Sequence, residues 1–280
     1  MSVVLLGANG FVGRHLWPAL EAAHPGSLSY TRAEYDLRSG ERLLLPPDCR
    51  AVVVAAATTD TRRCEDAPDE THTVNVAAPA ALARQLAGTG VKLVTFSSDY
   101  VFDGLKPPYA DTAMPSPTIV YGRQKAELES CLPGITDNCL ILRLSRLYGT
   151  TKGEGAFLDA IARSIDAGQC RAATDQAFCP TYIGDVVRAL LTLLADDQRG
   201  LFNLCAPRRW SRYDLAVRLA EASGRDPNTI EAMQLADLPG FSTWPRDTTM
   251  QCSSITARAA GSFLSVDQAL SAIPHAGLLP

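Results

Sequence analysis

An α/β fold built on a doubly wound parallel sheet is what this 280-residue sequence predicts, and three observations carry the prediction. Short, wholly apolar runs such as Val3-Val4-Leu5-Leu6 have the length and composition of strands buried on both faces. They alternate with stretches of helical periodicity, the pattern of parallel strands joined by crossover helices. The first run leads into Gly7-Ala8-Asn9-Gly10-Phe11-Val12-Gly13, three glycines spaced as Gly-x-x-Gly-x-x-Gly ahead of an amphipathic stretch from Phe11 to Ala23. A glycine triplet alone is weak evidence, but between a strand and a helix it reads as a Rossmann-type dinucleotide turn. There the glycines permit a tight turn, close approach of backbone N–H groups to a pyrophosphate, and close packing of helix on sheet.

The remaining elements follow in order. The second strand is placed at Ser27 to Thr31, and its end normally selects the cofactor. An acid there accepts from the adenosine ribose, whereas an arginine accommodates a 2′-phosphate. Here Tyr30-Thr31-Arg32 has no carboxylate until Glu34 and Asp36, so NADPH is expected and NADH is the alternative. The competing interpretation makes Arg32 a solvated loop charge and brings Asp36 toward the adenine. A third strand, Ala51 to Ala57, ends in Ala55-Ala56-Ala57-Thr58-Thr59, whose small side chains let a ligand lie against the backbone. The stretch from Asp69 to Leu86 is helical with Pro79 as a kink. Asn75 within it either partners the active-site backbone or a water, or fills a break in the helix.

Lys92-Leu93-Val94-Thr95-Phe96-Ser97 is the fourth strand, and it ends in the polar group Ser97-Ser98-Asp99, at the edge where open α/β sheets bind ligands. After a loop rich in proline (Pro107, Pro108, Pro115, Pro117), a helix from about Val120 to Cys131 carries Tyr121 and Lys125 on one face. A Tyr and a Lys at this spacing are common on solvated helices. Joined to the glycine turn and the hydroxyl-tipped strand, they suit carbonyl reduction. Hydride delivered to a carbonyl carbon leaves negative charge on oxygen, at which a proton donor and a hydrogen bond must already be aimed. Tyr121 is the expected acid, Ser98 the group that orients the carbonyl, and Ser97 its neighbour or substitute. The Lys125 ammonium is expected to lower the Tyr121 pKa, about 10 when unperturbed, by roughly one to three units.

Cys139 to Leu144 is a further strand, and residues 1–145 form the expected dinucleotide-binding domain. Residues 146–280 are expected to be mainly a smaller, substrate-binding lobe, with the 183–195 helix packing back on the first domain. Helices are placed near Ala156 to Asp166, Ile183 to Leu194 and Ser211 to Ala222, and short strands near Arg171 and Leu201. The loops Gly149 to Gly155 and Phe241 to Thr249 are candidates to line a pocket.

Composition narrows the class of protein. Hydrophobic residues at 46% and charged residues at 20% are those of an ordinary globular chain. With 26 basic against 30 acidic side chains there is no footprint for nucleic acid. No apolar run has membrane-spanning length and the N-terminus lacks a signal pattern, so a cytoplasmic protein without a membrane partner is expected. Eight cysteines without a Cys-x-x-Cys pair argue for buried thiols rather than a zinc cluster or a disulfide scaffold, and no metal site is expected.

Taken together, these residues resemble the extended short-chain dehydrogenase/reductase superfamily and, more narrowly, the dTDP-4-dehydrorhamnose reductase family. The resemblance rests on the glycine triplet, Ala55 to Thr59, Cys64-Glu65 followed by Val74-Asn75, and Tyr121-x-x-x-Lys125. It continues through Leu142-Arg143 to Tyr148-Gly149, Asp175-Gln176 to Pro180-Thr181-Tyr182, and Pro245-Arg246. The string Ser97-Ser98-Asp99-Tyr100-Val101-Phe102-Asp103-Gly104 is its most specific part. It implies NAD(P)H-dependent reduction of a keto group on a nucleotide-linked deoxysugar, with catalytic roles for Ser98, Tyr121 and Lys125. It implies cofactor contacts from Gly7, Asn9, Gly10, Phe11, Val12, Gly13, Arg32, Ala55, Ala56, Ala57, Asn75, Ser97, Tyr121 and Lys125, and substrate contacts from Asp99, Val101, Phe102, Arg146 and Arg246. A homodimer is among the assemblies open to it. Two departures bear on specificity: Ser98 stands where Thr is more usual, and Arg146 where the family usually carries an aromatic. Arg146 or Arg246 suits a phosphate or carboxylate, and a surface ion pair is the other reading of Arg146. Alternatives are a nucleotide-sugar epimerase, a reductase of another carbonyl, or a non-catalytic NADP-binding regulatory subunit.

Overall fold

The computed structural model describes residues 2–151, 157–238 and 240–272. Its first half runs β1 (Ser2–Leu6), α1 (Phe11–Ala23), β2 (Leu28–Tyr30), β3 (Cys49–Val54), α2 (Thr61–Asp66), α3 (Pro68–His72), α4 (Ala78–Leu86), β4 (Lys92–Ser98), α5 (Val120–Cys131) and β5 (Cys139–Leu144). Every residue of β1 and β5 is buried, in keeping with sequences that are apolar but for Ser2 and Arg143. β3 stops at Val54, short of the Ala57 expected from sequence. Its last partner on one side is Leu6, and β1 turns away immediately after it at Gly7, so the alanines leave the sheet as loop.

The break expected at Pro79 takes a specific form. Proline lacks an N–H and crowds the carbonyl four residues earlier, which here is that of Asn75. The chain widens into one π-helical turn, Thr73–Ala77, before α4 begins with Pro79 in its first turn.

The second half contributes β6 (Leu147–Tyr148), α6 (Phe157–Asp166), β7 (Arg171–Ala173), β8 (Ala177–Phe178), β9 (Thr181–Tyr182), α7 (Ile183–Ala195), β10 (Gly200–Leu204), β11 (Trp210–Ser211), α8 (Arg212–Ala222), β12 (Glu231–Met233), α9 (Ser254–Ala260) and α10 (Val266–Ala272). The central sheet has six strands in the order β10-β5-β4-β3-β1-β2, and all its pairings are parallel. The strand near Leu201 is therefore part of this sheet, beside β5. Three short two-stranded ladders, β11 with β8, β12 with β7 and β6 with β9, lie outside this sheet.

Alternation along β1 divides the core. Val3 and Leu5 face Leu16 and Leu20 of α1, Val186 and Leu190 of α7 and Ala260 of α9. Val4 and Leu6 face the opposite layer, with Leu82 and Leu86 of α4 and Leu128 of α5. Each such side chain contributes about 1.5–3 kcal/mol on burial. A separate core joins Leu158, Ile161 and Ile165 of α6 to Leu215 and Leu219 of α8, with Phe178 and Trp210. The strand order reverses between β1 and β3, and the crevice beyond their carboxyl ends is where such a sheet receives a ligand. No helix among the described residues is long and apolar enough to cross a membrane.

Candidate active site

The glycine turn opens this crevice. Gly7 has a φ of 88°, and a Cβ there would lie 2.6 Å from the backbone nitrogen of Ala56. At Gly13 a Cβ would strike the Gly7 carbonyl, so α1 rests directly on the turn; Gly10 carries no comparable constraint. No side chain caps the start of α1, which leaves backbone N–H groups and the positive end of the helix dipole at the cavity. A cavity of about 200 Å³ is lined here by Gly7, Asn9, Gly10, Arg32, Asp36 and Arg38, with Ala55 to Thr58. A second, of about 390 Å³, adjoins it at Ala55 and Ala57 and includes Phe11, Val12, Ser98, Asp99, Tyr121, Lys125 and Arg146. Two joined cavities along the strand ends, with a glycine cradle between, fit a dinucleotide.

At the outer end the acids are already committed. Glu34 folds back to accept from the backbone N–H and hydroxyl of Thr31, at 2.8 Å each. Asp36 is gripped by Arg38, whose hydrogen bonds hold its carboxyl well below the usual carboxylate range. Arg32 lies 3.6 Å from Asp36 with its side chain 64% exposed. That leaves cations rather than a free carboxylate to meet the ribose.

Ser98, Tyr121 and Lys125 come together at the inner cavity. Ser98 is the last residue of β4, donates to Asp99 Oδ1 at 3.0 Å and accepts from Tyr100 N at 3.2 Å. Gly122 allows Tyr121 its place, because a Cβ there would strike the Tyr100 carbonyl against which α5 packs. The expected lowering of the Tyr121 pKa is not what the structure contains. Burial pushes the phenol up, Asp99 and the Cys64 thiol add to the effect, and only the neighbouring Ser98 hydroxyl opposes it. Lys125 does not counter this: its Nζ donates to the Phe96 carbonyl at 2.9 Å and lies 5.8 Å from the Tyr121 ring centroid. Burial lowers Lys125 itself to about 8.

Several predicted residues are held elsewhere. Ser97 lines the cavity, but its hydroxyl donates to Glu129. Asn75 is buried behind the β3 loop, where its amide accepts from Thr58 N and donates to Thr58 O and Gln124 Oε1, so it braces the cavity wall rather than forming it. Val101 and Phe102 point into a buried cluster with Cys179, Cys205 and Met250, and Phe102 is stacked on Tyr109 at 4.1 Å; Asp99 and Tyr100 take the cavity positions. Arg246 is 63% exposed beside Asp175 and does not line the cavity. Of the loop Gly149 to Gly155, residues 152–155 lie outside the described residues.

The sequence assigns no role to several supporting residues, because they act across long separations. Glu65 accepts from Val120 N at 2.7 Å and so caps the helix that carries Tyr121. Gln124 ties the same helix to Pro68 O and Thr71. Arg143 makes a bidentate, buried pair with Glu129, at 2.8 and 2.7 Å. Among the described residues no group of three His, Cys, Asp or Glu is placed to hold a metal.

A family model described as RmlD substrate binding domain matches residues 1–274. The chain belongs to this family. Relatives of the RmlD family include the Probable low-salt glycan biosynthesis reductase Agl14 of Haloferax volcanii, 30% identical over 99% of this chain and 98% of its own length. The dTDP-4-dehydrorhamnose reductase of Mycobacterium tuberculosis is 32% identical over 85% of this chain and 80% of its length. Among solved structures, dTDP-4-dehydrorhamnose reductase from Bacillus anthracis in complex with NADP has a TM-score of 0.83 at 21% identity, covering 97% of this chain and 98% of that one. The likeness in fold thus extends over nearly the whole chain.

Proposed function

We propose that this protein is an NADPH-dependent reductase of a keto group on a nucleotide-linked deoxysugar, with Ser98, Tyr121 and Lys125 as its catalytic residues. The observation that carries the reading is their convergence on a cavity continuous with the glycine cradle. The family relatives named as reductases support it. Residues 1–145 hold the cofactor and residues 146–280 mainly the substrate.

The cofactor, when bound, supplies the hydride. Arg32 would hold the 2′-phosphate, the N–H groups at the start of α1 would hold the pyrophosphate, and the small side chains of Ala55 to Ala57 would let the dinucleotide lie against the sheet edge. Ser98 hydrogen-bonds the substrate carbonyl, and Tyr121 gives its proton to the oxygen as negative charge develops there. A raised pKa suits this direction of reaction, because the phenol stays protonated near neutrality and its target, an alkoxide, is far more basic. Lys125, whose Nζ reaches the Phe96 carbonyl beside the cavity, would hold the nicotinamide ribose and supply positive charge to the site. Tyr121→Phe keeps the ring and removes only the acid. Turnover of NADPH with thymidine-diphosphate 4-keto sugars should vanish while NADPH affinity changes little, and retained turnover would sink the assignment.

A further inference from the structure

Arg146 is a cationic side chain of the inner cavity that the proposed chemistry does not use. It stands just past the end of β5, its carbonyl fixed by a hydrogen bond from Thr181 N at 2.8 Å. Its guanidinium lies over the rings of Tyr100, Phe157 and Phe178, at 4.6, 5.6 and 5.9 Å from their centroids. Among the described residues it has neither a hydrogen-bond nor an ion-pair partner. The nearby Asp99 carboxylate offsets part of the Arg146 charge, but it takes its hydrogen bonds from Ser98, Ser145 and Thr248 and leaves the guanidinium donors unfilled. Arg212 sits over the same Phe157 ring at 5.4 Å, also without such a partner, so two cations share one aromatic platform.

Ring faces stabilise the faces of a guanidinium but leave its edge of N–H donors unmet. Half-buried at the cavity, the guanidinium therefore offers a free fork of donors to whatever enters, and that fork matches an oxyanion. We infer that Arg146, with the positive field of Arg212 behind it, forms an oxyanion subsite in the substrate cavity, filled by an acidic group of the substrate. The inference rests on the reading of this cavity as the place where the nucleotide-linked sugar binds. Two parts of such a substrate carry this chemistry: a carboxylate on the sugar ring, or the diphosphate.

Binding separates them without any turnover. Calorimetry on the NADP⁺-saturated protein would compare thymidine diphosphate glucose with thymidine diphosphate glucuronic acid, in wild type, Arg146→Gln and Arg146→Lys. Loss of a charged, bidentate contact should weaken binding about ten- to hundred-fold in Arg146→Gln, with Arg146→Lys between the two because it keeps the charge but not the fork. A loss confined to the glucuronic acid compound places the ring carboxylate on Arg146, and an equal loss for both places the diphosphate there. Unchanged affinity for both in an Arg146→Gln protein that still binds NADPH overturns the subsite, as does a wild type that binds NADPH but neither sugar. Because hydride transfer is never read, failure of the reductase assignment leaves this result intact.

Discussion

Glu129→Gln is expected to destabilise the protein far more than an exposed carboxylate would, and to disturb the cavity without touching it. The Glu129 and Arg143 side chains are 4% and 3% exposed, and Glu129 is the carboxylate paired with that guanidinium. Arg143 Nη1 also donates to Asp111 O at 3.0 Å, and its guanidinium lies 4.9 Å above Phe102, neither of which supplies negative charge. The amide keeps the shape of the carboxylate but strands the cation, so the cost is that of breaking a buried pair, about 3–5 kcal/mol. In a chain of this length that corresponds to a fall in melting temperature of roughly 6–10 °C. Turnover should fall too, since Ser97 loses its carboxylate acceptor beside Ser98. The assay is urea unfolding of Glu129→Gln, Arg143→Met and a Glu129→Leu/Arg143→Met double variant. An apolar replacement of both partners should recover most of the stability, because a buried ion pair contributes little net once its desolvation is counted. A loss under about 1 kcal/mol for Glu129→Gln, or a double variant less stable than the sum of the single losses, would refute this reasoning.

Two further outcomes follow from the site. Lys125 is held at about 8 by burial, below its value in the unfolded chain. Its cation is therefore lost as pH rises through about 8, and kcat should decline across that range; a flat profile from pH 7 to about 9 would contradict it. The same shift means that charging Lys125 opposes folding below pH 8, so Lys125→Met, which removes that penalty, should be at least as stable as wild type at pH 7 in thermal unfolding while losing turnover. At the outer cavity, Arg32→Ala should lower kcat/KM for NADPH about ten-fold and leave that for NADH nearly unchanged, since the side chain is largely solvent-exposed and loses one charged contact. Equal losses for both cofactors would assign the 2′-phosphate to Arg38 or Arg63 instead.

Local chemistry made much of this legible in the sequence. Buried parallel strands read as apolar runs, the glycine turn as its spacing, and Tyr121 with Lys125 as one face of a helix, because each depends on residues within a few positions of one another. The family followed from the same motifs. What the tertiary structure decided depends on distance through space. Whether Tyr121 is raised or lowered turns on burial and on Asp99 against a Lys125 that is drawn to the Phe96 carbonyl, and no spacing encodes that balance. The partners of Ser97 and Asn75 lie 32 and 49 residues along the chain, at Glu129 and Gln124, so their roles as braces could not be told from contacts with a ligand. Val101 and Phe102 share a specific string with Asp99, yet a single turn of 3-10 helix aims them into the core while Asp99 faces the cavity. Arg146 and Arg246 look equivalent as sequence; packing set one on three aromatic rings at the cavity and left the other on the surface beside Asp175, since only folding fixes which cation loses its water.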